Sequence, residues 1–471
     1  MKKFALFAFT AALASGATAE TLYYWAQEMN SSGAWKLDPE FNVEAGRAPT
    51  AADDVILGRQ QTGNWQPMGG DLTVKSFTIA DTNGGWINIL GQDKTLNIVE
   101  DFVINLSGNV IQIGYNNMPQ GGMPAADGDG FRQIVIGGNF EVNATTPELK
   151  TVFKNTNNYD INNPSMIIGG VAKFTNSDDA ATYRWAVNAF VNRTIPDSEK
   201  TPATSVIQLG GLETTGNKTV MVCNNDQGAF TTLSFKSDGK TAFTGGDAKI
   251  TLNDFYGLFN DRSYINVVMD GGADGGRQIL RVMSTAPGWD AGNHHSVVGR
   301  SSVSVKSGSL DLFSEEKFLS ADVSGGKFGI AGSSAANDKK GSLLTQTLNL
   351  NGGEIWFDVG DVPDNGDIIY ADSIGGDLST VLVLNLNEDF FSIGDILDGA
   401  EFAVFRGVTG FDDWGSLAVE AYFNGVRQDI AYSWNDGVIT IDSGTVVPEP
   451  AAVAAVFGVL ALAFAAYRRR K

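Results

Sequence analysis

The sequence predicts an all-β protein whose body is a parallel β-helix or β-solenoid-like stack, with a signal peptide in front and a single transmembrane helix behind. Three observations predict it. Apolar and polar residues alternate along much of the chain, a short Gly-rich phrase recurs, and the two ends are apolar segments of opposite design. Of the 471 residues, 56 are Gly, about 12% against a usual ~7%, and the abundant Thr, Val and Ile favour strands over helices. The expected divisions are 1–19 (signal peptide), 20–140 (β region with an aromatic cap), 141–365 (irregular coils), 366–446 (closing β region) and 447–471 (sorting tail).

Met1–Ala19 begins with Lys2 and Lys3, continues through an apolar stretch from Phe4 to Leu13, and ends with Ala17 and Ala19 in an A-x-A frame. That order is a secretory signal peptide, cut by signal peptidase before Glu20. A short buried helix is the plainer alternative, and it gives no reason for the order of charge, apolar run and small residues. Without Lys2, Lys3 and the four basic residues at the C-terminus, 27 basic residues face 54 acidic ones, a formal net charge of −27. Such a body repels nucleic acid and anionic lipid. Cys223 is the only cysteine, which excludes an intramolecular disulfide and points to a buried apolar role on a strand.

Alternation is clear in "EDFVINLSGNVIQIGYNN" and "FRQIVIGGNFEVNA", where Phe102, Ile104 and Leu106, then Ile134 and Ile136, fall on one face. The recurring phrase is a Gly-Gly or Ser-Gly turn followed by a few alternating residues: "IGGNFEVN", "IGGVAKFTN", "TGGDAKITLN", "KSGSLDLFS", "SGGKFGIAG" and "NGGEIWFDV". Copies lie roughly 20 to 60 residues apart without a fixed period, a degenerate repeat in which each unit buries its face on its neighbours. A β-sandwich or a chain of antiparallel modules is the alternative architecture. Two-residue hairpin signals are scarce within the repeats, which favours the solenoid. "SDGK", Ser237–Lys240, is the exception and predicts a local hairpin between "TTLSFK" and "TAFTGG".

Candidate chemistry is sparse. His294 and His295 are the only histidines and would point to opposite faces of a strand. "DGDG" at 127–130, "SDDA" at 177–180 and "MDGGADGG" at 269–276 could ligate Ca²⁺, yet none has EF-hand or nonapeptide-repeat spacing, and solvated turns in an acidic protein are the favoured reading. No other cofactor is expected. Asp270, Asp274, Arg277 and Arg281 form the one tight acidic-and-basic group that a polysaccharide lyase or hydrolase would need. Trp185, Trp289 and Trp356 are candidates for stacking on sugar rings, with core packing as the plainer reading. No catalytic or metal residue is assigned.

From Ala451 to Tyr467 the chain carries no charge over 17 residues, roughly 25 Å as a helix, just enough to span a bilayer. Arg468, Arg469, Arg470 and Lys471 form the cytoplasmic stop, leaving the body outside. Pro448 and Pro450 hold the backbone before the span extended and open to a protease. Pro448, Glu449 and Pro450, the apolar run and the basic knot together resemble the PEP-CTERM sorting signal. That resemblance implies handling by an exosortase, a membrane transpeptidase, and delivery to the outer surface or matrix. Two further segments resemble autotransporter-passenger-like solenoids. The mature start matches at Trp25, Trp35, Phe41, Pro49, Asp53, Asp54 and Val55, whose aromatics could lid an open core. Gly366–Gly444 matches in a Gly-Asp strand, a Leu/Val strand, a strand around "FAVFRG" and a final "GVITI" strand. The expected function is therefore a non-enzymatic structural or adhesive surface protein, with a glycan-binding adhesin or a polysaccharide lyase or hydrolase as alternatives.

Overall fold

The computed structural model describes residues 21–25, 49–58, 71–82, 85–87, 95–106, 110–113, 133–144, 148–153, 165–176, 182–187, 204–215, 219–224, 230–236, 244–254, 264–272, 276–284, 295–332, 341–361, 366–386 and 388–446. The signal peptide, Trp35, Phe41, Trp289, His294, Asp274 and the whole sorting tail lie outside these. The described chain is all-β and β-helix-like. A first sheet of seventeen strands and a second of fourteen are built almost wholly from parallel neighbours, and a three-stranded antiparallel sheet closes the C-terminal end.

Parallel pairing follows from the coil order, since each strand pairs with its counterpart one coil later and not with the next strand in sequence. Early coils carry three strands, as in Thr95–Ile98, Phe102–Leu106 and Val110–Ile113. In Ser165–Asn176 and Thr204–Thr214 the first two are fused into one long strand. Coil length is irregular, as the spacing of the Gly phrases predicts: Phe102 pairs with Phe140, 38 residues on, but Ser302 pairs with Ser320, only 18 on. The strands stay in register while the connections between them vary, because a longer surface loop costs little more entropy than a short one.

Alternation sends every second side chain inward, and the register then stacks like on like. One buried column runs Leu72, Leu96, Ile134, Met166, Ile207, Leu233, Val267, Val303, Ala321 and Leu348. Full burial of each large member is worth about 1.5–3 kcal/mol. Beside it Phe77, Phe102 and Phe140 stack with centroids 5.5 and 5.4 Å apart. Trp185 closes on Phe174 and Phe140 at 5.3 and 5.9 Å. Val55 is buried in the core, and Asp53 accepts from the Thr50 amide and hydroxyl, both at 2.8 Å, to set the turn before that strand.

The glycines of the recurring phrase stack at the corner between the two sheets. Gly308, Gly326 and Gly353 all have positive φ, and their carbonyls accept from Ser309's successors in the next coil: Lys327 N to Gly308 O at 2.8 Å, Glu354 N to Gly326 O at 2.9 Å, Val381 N to Gly353 O at 3.0 Å. A Cβ on Gly326 would stand 2.4 Å from Gly308 O. Only Gly suits both the backbone angle and the approach.

One expectation needs correction. The described strands on either side of "SDGK", which itself lies outside the described residues, are not hairpin partners: Phe230–Phe235 lies in the first sheet between Thr204–Thr214 and Tyr264–Asp270, while Thr244–Asp254 lies in the second. Two-residue hairpins occur instead at the C-terminus, at Asn424-Gly425 and Asp436-Gly437, where both residues of each pair have positive φ. There Glu401–Ala403, Ile430–Asn435 and Val438–Gly444 form the closing sheet. Phe405, Phe411, Trp414 and Trp434 cluster at its contact with the last coil, with Trp414 and Trp434 centroids 5.4 Å apart. This cover removes an open end that would otherwise present unpaired strand edges.

Where coils change shape, a polar residue enters the core. Gln278 is fully buried in the column that holds Leu310 in the next coil. Its side chain accepts from Leu212 N at 2.8 Å and donates to Leu212 O and Gly246 O, each at 3.0 Å. Those groups lie where the register of Thr244–Asp254 slips between Thr244 and Asp247. Gln278→Leu fits the space but strands them, so urea denaturation should show a loss of about 3 kcal/mol at roughly 1 kcal/mol per unmade bond. Gly326→Ala should cost about 2 kcal/mol or more in the same measurement.

Candidate functional site

On the outer face of the second sheet, consecutive coils form a groove of about 490 Å³. Its floor is one column of outward residues, Ile279, Asp311, Gly329 and Trp356, paired strand to strand. Each is the third residue after a corner glycine, at Gly276, Gly308, Gly326 and Gly353. Gly329 lacks the side chain its neighbours carry, and Asp311 leans into the space: a Cβ on Gly329 would meet Asp311 Oδ1 at 2.2 Å.

The basic groups of the groove are matched. Arg277 donates to Asp311 Oδ2 from Nη2 at 2.6 Å and from Nε at 3.0 Å. Arg281 Nε donates to both oxygens of Asp247 at 2.9 Å, while its Nη1 is buried with no hydrogen-bond partner among the described residues. Lys327 stands 3.6 Å from Glu354 and places its ammonium 4.3 Å from the centre of the Trp356 ring. The indole Nε1 donates to Glu354 at 2.7 Å, and Tyr422 packs beside the ring at 5.4 Å. At the far side Asn385 donates to Asp358 at 2.6 Å.

Beneath this rim Asp367 is buried and accepts from the amides of Gly341 at 2.7 Å and Asp358 at 2.8 Å. Burial pushes its carboxyl well above the usual 3.8, against the pull of those two amides, and the nearby Asp358 and Asp311 charges add to the rise. Asp367 thus ties together three stretches of the groove wall while carrying a proton more readily than an ordinary carboxyl.

The groove gathers three of the residues nominated from the sequence, Arg277, Arg281 and Trp356. It does not gather the others. Asp270 lies on the first sheet, accepting from Ser307 at 3.0 Å and 3.8 Å from Lys236, so the acidic-and-basic group is split between two sheets. Trp185 is a fully buried core residue and has no face for a ligand. His295 pairs through its backbone with Asp254. Cys223 lies on the strand Thr219–Asn224. The clusters at 127–130 and 177–180 lie outside the described residues, and among the described residues no three His, Cys, Asp or Glu side chains stand together as metal ligands. Asp311, Lys327, Asp358, Asp367, Asn385 and the gap at Gly329 were missed. Aligning "KSGSLDLFS", "SGGKFGIAG" and "NGGEIWFDV" on their glycines would have put Asp311, Gly329 and Trp356 in one column.

No protein-family model, curated protein or solved structure matches the chain.

The raised carboxyl of Asp367 fixes the sign of a pH effect. Between about 3.8 and its native value the folded state holds the proton that the unfolded chain has lost, so this group's stabilisation is greatest in acid and declines as pH rises through the native value. Asp367→Asn should flatten the fall of the thermal midpoint as pH is raised above about 4, a comparison that calorimetry on both proteins makes directly.

Proposed function

We propose that the chain is an exported structural or adhesive protein of the cell surface or extracellular matrix, sorted through its C-terminal signal, and not an enzyme. The observation that carries this reading is the ordered ending: Pro448-Glu449-Pro450, an uncharged run from Ala451 to Tyr467, then Arg468, Arg469, Arg470 and Lys471. On this reading signal peptidase cuts after Ala19, the apolar run holds the body at the membrane, and an exosortase-type transpeptidase acts near the Pro-Glu-Pro motif.

The hydrogen bonds at Val446 give further support. Val446 is tied down, donating to Asp395 O at 2.9 Å and accepting from Gly394 N at 2.8 Å. Val447 to Pro450 is all that separates this fixed point from the apolar run, a tether of about 14 Å when extended. An anchored body would sit close to the bilayer, with exposed Ile393 (59%) and Ile396 (74%) beside the exit. The groove also fits binding better than turnover. A lyase needs a base free to take a proton, and the Lys327 ammonium is paired with Glu354 at 3.6 Å.

Terminal peptide mass spectrometry on protein recovered from the native cell surface tests the route. A chain beginning near Glu20 and ending around Pro448–Pro450 is the expected result. Recovery with Arg468–Lys471 still attached would remove the exosortase step and leave a permanently anchored protein. Turnover of any glycan by the purified chain would overturn the non-enzymatic reading.

A further inference from the structure

We propose that the hollow over Gly329 binds one sugar ring of a neutral, hydroxyl-rich polysaccharide, held between the indole face of Trp356 and the carboxylate of Asp311. Strands of a sheet lie about 4.8 Å apart, so side chains one strand to either side of Gly329 stand roughly 9.6 Å apart. Gly329 brings no side chain of its own, so the carboxylate of Asp311 reaches across it, and a pyranose ring would rest on that carboxylate and, once Lys327 swings aside, against the indole face of Trp356. The volume of the groove, about 490 Å³, leaves room for the chain to continue on both sides of that ring.

The walls carry the chemistry such a ring needs. The C–H face of a sugar packs on an aromatic face, and Trp356 is held in one orientation by its Nε1 bond to Glu354 and by Tyr422 behind it. Lys327 now covers the open face, but its side chain is 54% exposed and its ammonium stays within reach of Glu354. It can leave the ring for solvent without breaking a buried contact. Opposite, Arg277 holds Asp311 through Oδ2, while Oδ1 is the oxygen nearest the hollow. A fixed carboxylate accepts well from sugar hydroxyls. Asp358 and Asn385, already oriented by their mutual bond, supply a further acceptor and donor.

Charge selects the ligand class. Arg277, Arg281 and Lys327 each have a carboxylate partner, and the exported body carries a formal −27. An anionic polymer would meet a repulsive field, and among the described residues lining the groove each cation already has a carboxylate partner. Neutral hydroxyls need none.

The full chain, held in a detergent without a sugar headgroup, is titrated with dextran, laminarin and hydroxyethyl cellulose as neutral probes and with alginate and polygalacturonate as anionic ones. Binding is followed by calorimetry. Saturable binding to at least one neutral polymer is expected, weakened at least tenfold by Trp356→Ala and by Asp311→Asn, and kept or tightened by Lys327→Ala, which clears the indole face. Thermal melts show which variants are folded. If Trp356→Ala is not, Asp311→Asn decides. Binding confined to alginate or polygalacturonate, neutral binding that the folded variants leave unchanged, or no saturable binding to any of the three neutral polymers would overturn the proposal. The result is independent of the sorting route, since it is read on the purified chain whatever its termini.

Discussion

Register between successive coils is the constraint on which the rest of this protein depends. Each inward residue lies against its counterpart in the coil before and the coil after, so a column such as Met166, Ile207, Leu233 and Val267 must be compatible along its whole length. A slip by one residue would turn every inward side chain of a strand outward. The chain tolerates coils of very different length because variation is confined to the connections. Where the phase does shift, it shifts within a strand pair, as between Ile168 and Val171, Thr244 and Asp247, and Met269 and Asp270.

Two devices hold that phase where the path bends. At the corner between the sheets, Gly308, Gly326 and Gly353 let one backbone lie directly on the next, and each carbonyl binds the coil that follows. At the one place where the register of Thr244–Asp254 slips, Gln278 supplies from the side chain the hydrogen bonds the ladder has lost. A buried amide is tolerated there because its own oxygen and nitrogen are both hydrogen-bonded. The stack ends when Asn424-Gly425 and Asp436-Gly437 turn the chain back on itself, and the Trp414–Trp434 pair covers the last coil.

The groove is a by-product of the same register turned outward. Since the third position after each corner glycine faces solvent, successive coils write a column across the second sheet. A single missing side chain, at Gly329, lets Asp311 lean across the column toward the strand that carries Trp356. Arg277 and Arg281 were recognisable as polar residues near a turn, but their partners, Asp311 and Asp247, lie 34 residues away in neighbouring coils. Irregular coil length hides such pairs from any fixed-period reading. Asp270 was assigned to the same group because it is close in sequence, although the corner between Asp270 and Arg277 sends the two to different sheets.

The sequence by itself determined the β class, the inward and outward faces of most strands, and the Gly corners, because alternation and the need for positive φ are local properties. The apolar and basic order of its two ends, from which export and sorting are proposed, is equally local. Which strands are neighbours was decided only by the tertiary structure. So were the core position of Trp185, the staple made by Gln278, the buried carboxyl of Asp367 and the groove over Gly329. Each depends on what lies one coil above or below, a distance of 18 residues in one place and 38 in another, and local pattern carries no measure of that distance.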